Sequence, residues 1–201
     1  MEQLLSSLGV FVGAILATIT PFIVSFVKRK LNKNKEAKYF VENTEIRSKI
    51  HEVLVEIRAL VGANRVNIIE YHNGIVSTSG LPFNYASMTY ESVDFTTKES
   101  IMSFQKIPTS PISKLLMSIH NCKNQFLRIG SDYPDTNIIL FNKFYGVETN
   151  YIFKISDHIK DGILTVNWVH EADIELDEDE IQQIILKVRY IYQMMNKMNK
   201  Y

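Results

Sequence analysis

His72 is the first residue to consider for chemistry, because it stands in the stretch Tyr-His-Asn-Gly, where an alternating run of residues ends in a turn sequence. An imidazole can bind a metal ion or transfer a proton near neutral pH. A lone histidine at a strand end, however, has no partner motif for either role, and Asn73 and Gly74 supply the positive φ angles of a tight turn. The pattern therefore favours a structural role for His72 over ligand contact, and ligand contact over catalysis.

The other candidates for metal or nucleophilic chemistry also lack partner residues. Cys122 is the single cysteine and stands in the sequence HNCKN, where nothing marks it as a nucleophile. The five histidines are scattered, and neither HExxH nor CxxC occurs, so a zinc site has little support. Phosphate-binding GxxxxGK(S/T) and GxGxxG loops do not occur in the sequence. We therefore expect a protein that is not an enzyme and has no cofactor or metal.

A dense acidic stretch resembles a calcium-binding loop only in part. Seven of the ten residues from Glu171 to Glu180 are carboxylates, and four of them alternate as EF-hand ligands do. The sixth loop position is Glu178, where an EF-hand has glycine, and the twelfth is Ile184, where it has glutamate. We expect a solvated acidic turn, in which Asp177 and Glu180 form a capping box for the next helix.

The elements that position these residues belong to a folded protein of ordinary composition. Of 201 residues, 46% are hydrophobic and 22% charged, as in globular domains. The formal net charge is zero, so no general affinity for nucleic acid is expected. One cysteine excludes an internal disulfide and fits a reducing compartment.

Residues 4–27 form a run of 24 residues without a charged side chain. A helix of this length spans a bilayer core of ~30 Å, and membrane helices tolerate the kink that Pro21 would introduce. A signal peptide is the competing interpretation, but it needs a shorter apolar core, of ~7–15 residues, preceded by positive charge. Only Glu2 is charged before this run, so one N-terminal transmembrane helix is predicted.

Basic residues flank this run on one side only. None precedes it, and six follow it closely: Lys28, Arg29, Lys30, Lys33, Lys35 and Lys38. Because positive flanks stay in the cytoplasm, we expect a single-pass protein of the inner membrane, with the N-terminus outside and residues 28–201 in the cytosol. The basic cluster could also bind anionic lipid headgroups, or it could serve topology alone.

Two patterns indicate pairing with a second copy. Gly9, Gly13 and Ala17 share one face of the predicted membrane helix, where small residues let two helices approach closely, although such spacing is also common by chance. The second pattern is an apolar stripe on a helix predicted over residues 35–61: Ile46, Ile50, Val53, Ile57 and Leu60. This stripe could pack on the domain, pair with another copy, or do both. We predict a parallel homodimer with contacts at the three small residues and at Ile46 and Ile50.

Strand and helix patterns alternate along the rest of the chain. Strands are predicted at residues 66–72, 87–95, 124–130, 150–156 and 162–170. Helices are predicted at residues 110–121, with Ser110 as N-cap and Pro111 in the first turn, at 137–146, and from Leu176 onwards. This order predicts an α+β fold in which one antiparallel sheet is flanked by helices.

The order of elements resembles a GAF domain, a small-molecule-binding and sensory module. The sequence IHEVLVEIRALVGANRVNIIEYHNG looks like the opening helix and first strand of that family, and GILTVNWV followed by LDEDEIQQIILKV looks like its closing strand and helix. More narrowly, YHNG, GLPFNYASMTYESV and FQKIPTSPISKLL resemble small membrane-anchored GAF-like proteins of tailed phages. The resemblance covers residues 46–196. We accordingly assign residues 1–30 to an anchor with its basic flank, 31–62 to a linker and first helix, and 63–201 to a GAF-like cytosolic domain.

The chain departs from the better-understood members of that family. Cyclic-nucleotide-binding GAF domains carry Asn-Lys near the last strand, where this chain has Asn167 and Trp168. Bilin-binding GAF domains need a cysteine that links the chromophore, and the context of Cys122 is unsuitable for that role.

The resemblance implies a ligand pocket between the sheet and the two middle helices. Its candidate lining residues are Tyr90, Tyr133, Phe141 and Tyr145, with Asn137 as a polar contact, although these side chains could equally fill the core. The expected function is a membrane-anchored sensory or small-molecule-binding module facing the cytosol, encoded by a phage or a related genome. The alternative is a non-catalytic structural or interaction protein at the inner membrane, which uses the GAF fold to dock a host protein.

Overall fold

The computed structural model describes residues 2–72, 84–156 and 162–198, and within the first helix it describes side chains at 20–22, 24–26, 28–30 and from Lys38 onwards. The helices of these residues are α1 (Glu2–Val61), α2 (Ser113–Asn121), α3 (Thr136–Phe144) and α4 (Glu178–Met198). The strands are β1 (Arg65–His72), β2 (Tyr85–Val93), β3 (Ile107–Pro108), β4 (Phe126–Ile129), β5 (Thr149–Lys154) and β6 (Ile163–Trp168). The predicted turn at Asn73 and Gly74 lies outside the described residues.

The chain divides into two compact units, residues 1–45 and residues 46–200. In the first unit, Phe22, Phe26 and Phe40 of α1 are exposed. Judged by the side chains that the structure describes, none of the helices has both the length and the apolar composition of a membrane span. This division differs from the boundary predicted at residues 62 and 63, because residues 46–61 of α1 pack into the core of the second unit.

The second unit is built on one antiparallel sheet with the strand order β3-β2-β1-β6-β5-β4. The central strands β1 and β6 pair with Arg65 opposite Asn167 and Asn67 opposite Thr165. The prediction of an α+β fold with one antiparallel sheet is confirmed. Strand β3 was not predicted, because it is only two residues long and ends in a proline.

Helices cover both faces of this sheet. Residues 46–61 of α1 and helix α4 pack on one face, which is the larger core, and α2, α3 and the segment before β3 pack on the other. Large side chains that are buried in the larger core include Ile50, Leu54, Ile57, Leu164, Trp168, Ile184 and Ile191. Because both faces are covered, all six residues of β6 are buried.

A bulge in the pairing of β1 with β2 decides which side chains reach each face. Ile69 lies opposite Met88, but Ile68 lies opposite Tyr90, so Thr89 is the extra residue of β2. The bulge turns Tyr90 toward the larger core and brings Glu91, opposite Asn67, to the other face.

Local chemistry explains where the helices begin. The predicted capping box of α4 is confirmed: Asp177 N donates to Glu180 Oε2 at 2.9 Å, and Glu180 N donates to Asp177 Oδ1 at 2.8 Å. Helix α3 is capped by Asp135, whose Oδ1 accepts from Asn137 N at 3.0 Å. The prediction of Ser110 as an N-cap is wrong, because residues 110–112 form a short 3-10 turn before α2 begins at Ser113.

Candidate ligand cavity

A cavity of about 60 Å³ lies between the sheet and the segments that cover its smaller core. Strands β1, β2, β5 and β6 form its floor, and α2, α3 and Phe104 cover it. One end of the cavity is apolar and is lined by Ile69, Met88, Leu115, Ile152 and Ile163. The other end is polar, although it is equally buried.

The polar end is a patch of side chains that point from three neighbouring strands. Pairing across the sheet places Arg65, Asn167 and Asn150 in one row, and Asn67 beside Thr165 in the next row. All five side chains are buried, and each lines the cavity. Because a buried polar group is costly unless it is hydrogen-bonded, such a patch inside a sheet needs partners for its donors and acceptors.

Part of this demand is met within the patch itself. Asn167 Nδ2 donates to Thr165 Oγ1 at 2.9 Å, and Thr165 Oγ1 donates to Asn67 Oδ1. Asn150 Nδ2 donates to Asn142 Oδ1 of α3 at 3.4 Å, which is a long bond. Asn150 Oδ1 is buried and accepts no hydrogen bond from the residues that the structure describes.

Arg65 lies at the polar end of the cavity and links three segments, namely β1, the end of α3 and the loop after β2. Its Nη1 donates to the backbone oxygen of Tyr145 at 3.3 Å, and its Nη2 donates to that of Lys98 at 2.9 Å. Its Nε lies 3.1 Å from Glu91 Oε1, an ion-pair contact whose angle does not meet hydrogen-bond geometry. Burial lowers the pKa of Arg65, and the nearby carboxylate of Glu91 acts in the opposite direction.

Glu91 is held as firmly as its partner. Its carboxylate accepts from the backbone of Ser100 at 3.0 Å, from Ser100 Oγ at 2.7 Å and from the backbone of Ile101 at 2.8 Å. Charge-assisted bonds of this kind are about twice as strong as neutral ones. The ion pair therefore fixes the loop after β2 and the end of α3 over the sheet.

Tyr71, which also lines the cavity, carries a second buried polar atom without a partner among the described residues. The side chain is 9% exposed, and its hydroxyl makes no hydrogen bond with any residue in the described ranges. Burial raises the pKa of Tyr71, because the phenolate is poorly solvated there. The hydroxyl thus stays protonated and can donate to or accept from a bound molecule.

The predicted pocket residues lie in three different places. Phe141 and Tyr145 line the cavity, and their rings lie 5.1 Å apart. Tyr133 and Asn137 line an outer groove between α2 and α3, where Asn137 is exposed. Tyr90 lies on the opposite face of the sheet, with its hydroxyl 3.8 Å from Met198 Sδ, so the bulge separates it from the other four residues.

The remaining chemical candidates have local partners. His72 Nε2 lies 2.8 Å from Ser87 Oγ, so its ring bonds a side chain of the neighbouring strand. Cys122 Sγ donates to the backbone oxygen of Phe126 at 2.7 Å. Asp173, from the acidic stretch, accepts from Ser131 N at 3.0 Å, and this bond lowers the pKa of Asp173.

The structure describes the surroundings of some predicted dimer contacts and not of others. Gly9, Gly13 and Ala17 lie in α1, but their surroundings fall outside the described part of the structure. Ile50 has no exposed surface and belongs to the larger core of its own chain, while Ile46 is partly buried against that core. A contact between copies through Ile50 would therefore require the helix to leave its own sheet.

Sequence reasoning missed the polar patch, although its signal was present. Arg65 and Asn67 alternate with the buried Val66 and Ile68, and Thr165 and Asn167 alternate in the same way within β6. Polar residues at every second position of a strand usually indicate a solvated face. Only the covering helices turn that face into the floor of a cavity.

The fold resembles solved GAF domains. That of Thermosynechococcus elongatus PixJ, in its blue-light absorbing form, matches with a TM-score of 0.57 and 13% identity over 79% of this chain and 89% of that chain. A phycoerythrobilin-bound GAF domain from a cyanobacterial phytochrome matches with a TM-score of 0.61 and 14% identity, over 83% of this chain and 93% of that one. A phycocyanobilin-bound GAF domain, also from a cyanobacterial phytochrome, matches with a TM-score of 0.60 and 17% identity, over 76% and 85%. This chain therefore has a GAF-like fold.

At the level of sequence, no family model matches the chain, and no curated protein matches it either.

Proposed function

We propose that this protein is a non-catalytic sensory module that binds a small molecule in the cavity between β1, β5, β6 and α3. The observation that carries the proposal is the buried carboxamide of Asn150, a residue that lines this cavity and whose oxygen has no partner among the described residues. Leaving such an acceptor unpaired costs roughly 1–3 kcal/mol, which a bound donor would recover. The solved GAF domains that hold bilins give the same fold a precedent for ligand binding.

The size of the cavity limits what could bind. A volume of about 60 Å³ is well below the ~300–1,000 Å³ of pockets for drug-sized ligands. We therefore infer a ligand much smaller than those that such pockets hold. Binding would be read out through the segments that cover the cavity, since Arg65 ties the end of α3 and the loop after β2 to the sheet.

Native mass spectrometry of the full chain in detergent tests this proposal. We expect a small molecule that co-purifies with the wild type and is lost in Asn150→Leu, which removes the unpaired oxygen at nearly the same volume. Asn137→Leu is the matched control, because Asn137 lies exposed on the outer groove. A bound molecule that survives Asn150→Leu but is lost in Asn137→Leu would move the site to that groove and overturn the proposal.

We also propose that residues 4–27 attach the module to the inner membrane, with residues 28–201 in the cytosol. The support is the charge-free run of 24 residues followed by six basic residues. Of these six, Lys28, Arg29, Lys30 and Lys38 are exposed. A reporter fused after Tyr201 should be active only in a cytosolic format; activity of a periplasmic reporter there would refute this topology.

A parallel homodimer is part of the same proposal, because attachment to one membrane raises the effective concentration of copies and aligns them. In a Cys122→Ser background, Ile46→Cys should crosslink between copies in membranes more than Lys49→Cys, whose position is exposed. Equal, weak crosslinking at both positions and a monomeric mass in detergent would exclude the dimer.

The second candidate is an interaction protein, encoded by a phage or a related genome, that uses the fold as a docking surface. The observation that favours it is the small size of the cavity. Exposed apolar side chains on the second unit, including Phe95, Met102 and Phe144, would suit such a role. If the wild type never carries a small molecule from cell extracts, this candidate is preferred.

A further inference from the structure

The cavity is electrically balanced before any ligand enters. Among the lining residues that the structure describes, Arg65 is the one charged side chain, and Glu91 lies beside it with side-chain exposures of 6% and 3%. The guanidinium is also bonded to two backbone oxygens, and the carboxylate to two backbone N–H groups and one hydroxyl. An anion or a cation in the cavity would therefore add a buried charge without a counter-ion, which is costly.

The carboxamide of Asn150 needs a partner that can both donate and accept. Within the described residues, its Oδ1 is unpaired and its Nδ2 makes only the long bond to Asn142. Because the oxygen and nitrogen of an amide can exchange places by rotation, Asn150 could present its nitrogen to the cavity only if the Asn142 amide turned as well, so that a nitrogen still donated to an oxygen between the two residues. A ligand with a donor and an acceptor side by side satisfies either orientation.

The end of the cavity away from Asn150 is apolar and suits an apolar group of the ligand. Its walls there are Ile69, Met88, Leu115, Ile152 and Ile163, and a short alkyl group would bury apolar surface against them. Since a cavity needs about 10–15 Å³ to hold one water molecule, about 60 Å³ holds roughly four to six waters or a ligand of a few heavy atoms.

We propose that the ligand is a small uncharged molecule that combines an amide-like head, bound by Asn150 and Asn142, with a short apolar tail. This inference rests on the proposed function, and it names the ligand class of that same cavity. The proposed ligand is much smaller than a bilin. Carboxylates and phosphates are excluded because they are charged.

Three small probes test the ligand class on the full chain in detergent. Propanamide carries the amide head and a short tail, propanoate is nearly isosteric with it but charged at neutral pH, and xenon is apolar. Binding is followed by NMR through the side-chain amide signals of Asn142 and Asn150 and the methyl signals of Ile152 and Ile163. The exposed amide of Asn137 serves as an internal control.

We expect propanamide to shift the Asn142 and Asn150 signals in a saturable way, with an affinity at least tenfold above that of propanoate. In Asn150→Leu the affinity for propanamide should fall at least tenfold, while xenon still shifts the two isoleucine methyls. This contrast separates loss of the amide contact from collapse of the cavity.

The other outcomes each overturn a defined statement. If propanoate binds as tightly as propanamide, the inferred ligand class changes from an uncharged molecule to an anion. If xenon binds but propanamide does not, the cavity accepts apolar molecules only. The proposed amide-like ligand class is then wrong, while the proposed function stands. If none of the three probes shifts a cavity signal, the proposed function itself fails.

Discussion

Arg65 and Glu91 form an ion pair that is almost completely buried, with 3.1 Å between Nε and Oε1 and side-chain exposures of 6% and 3%. The two residues come together because of the bulge at Thr89, which brings Glu91 to the face of the sheet on which Arg65 lies. Two buried charges of opposite sign are costly to separate, since each would remain in a medium that solvates it poorly.

Glu91→Gln should lower the free energy of unfolding by about 3–5 kcal/mol, because it leaves the Arg65 guanidinium buried without a counter-charge. Urea unfolding followed by the fluorescence of Trp168, the single tryptophan and only 2% exposed, measures this loss. The matched control is Glu56→Gln, which removes the more exposed pair with Lys187 and should cost less than ~1 kcal/mol. Equal losses in both variants would contradict the assigned role of the buried pair.

Tyr71→Phe should raise the free energy of unfolding by about 1 kcal/mol, because it removes a buried hydroxyl that has no partner in the described part of the chain. Tyr151→Phe should lower it by about 1–3 kcal/mol. The hydroxyl of Tyr151 donates to Ile174 O at 3.2 Å and accepts from Leu176 N at 3.1 Å. Thermal or urea unfolding compares the two variants directly, and a loss of stability in Tyr71→Phe would show that its hydroxyl is bonded after all.

Gly162→Ala should cost about 3 kcal/mol or more. A Cβ at this position would lie 2.5 Å from the backbone oxygen of Ile69. The backbone φ of +96° is also one that residues with a side chain rarely adopt. Gly62→Ala provides the comparison, because its φ is +63° but no atom lies within 4 Å of the added Cβ. That variant should lose only about 1–2 kcal/mol from backbone strain. Similar losses at both glycines would argue against the close approach of Gly162 to β1.

The stability of the protein should fall in acid partly because of Asp94. Partial burial acts to raise the pKa of its carboxyl, but hydrogen bonds from Asn64 and Thr96 outweigh burial and hold the pKa well below its ordinary value. A depressed pKa in the folded state contributes stability above the unfolded value of about 3.9, and this contribution is lost as the pH falls below it. Asp94→Asn should therefore weaken the decline in unfolding free energy below about pH 4.

Glu148→Gln is the control for this measurement, since Glu148 is exposed outside the helices, and this variant should change the acid decline less than Asp94→Asn does. Urea unfolding at a series of acidic pH values supplies the comparison. An unchanged acid decline in Asp94→Asn would show that other carboxyl groups account for it.

Local signals in the sequence were enough to predict most of the elements of the second unit. The capping box at Asp177 and Glu180 is one such signal, because both of its hydrogen bonds form within four residues. The alternation of Val66 and Ile68 is another, because a covered strand buries every second side chain in the same core. Signals of this kind depend on neighbours in the chain and can be read without the fold.

Long-range pairing explains what could not be predicted. Tyr90 was expected beside Phe141 and Tyr145, but the bulge at Thr89 depends on how β2 is paired with β1 and turns Tyr90 to the opposite face. The patch around Asn150 likewise exists only after β5, β6 and β1 have aligned in register. No local pattern shows that α3 then seals these polar side chains from water.

The pairing of β1 with β6 also sets an order of events during synthesis. Arg65 and Asn167 lie opposite each other although 102 positions separate them along the chain, by subtraction of their numbers. At about 5–20 residues per second, the ribosome needs about 5–20 s to add that stretch. During this interval β1 has been made but β6 has not. The edge of β1 that later pairs with β6 is therefore open to misassociation or to a chaperone.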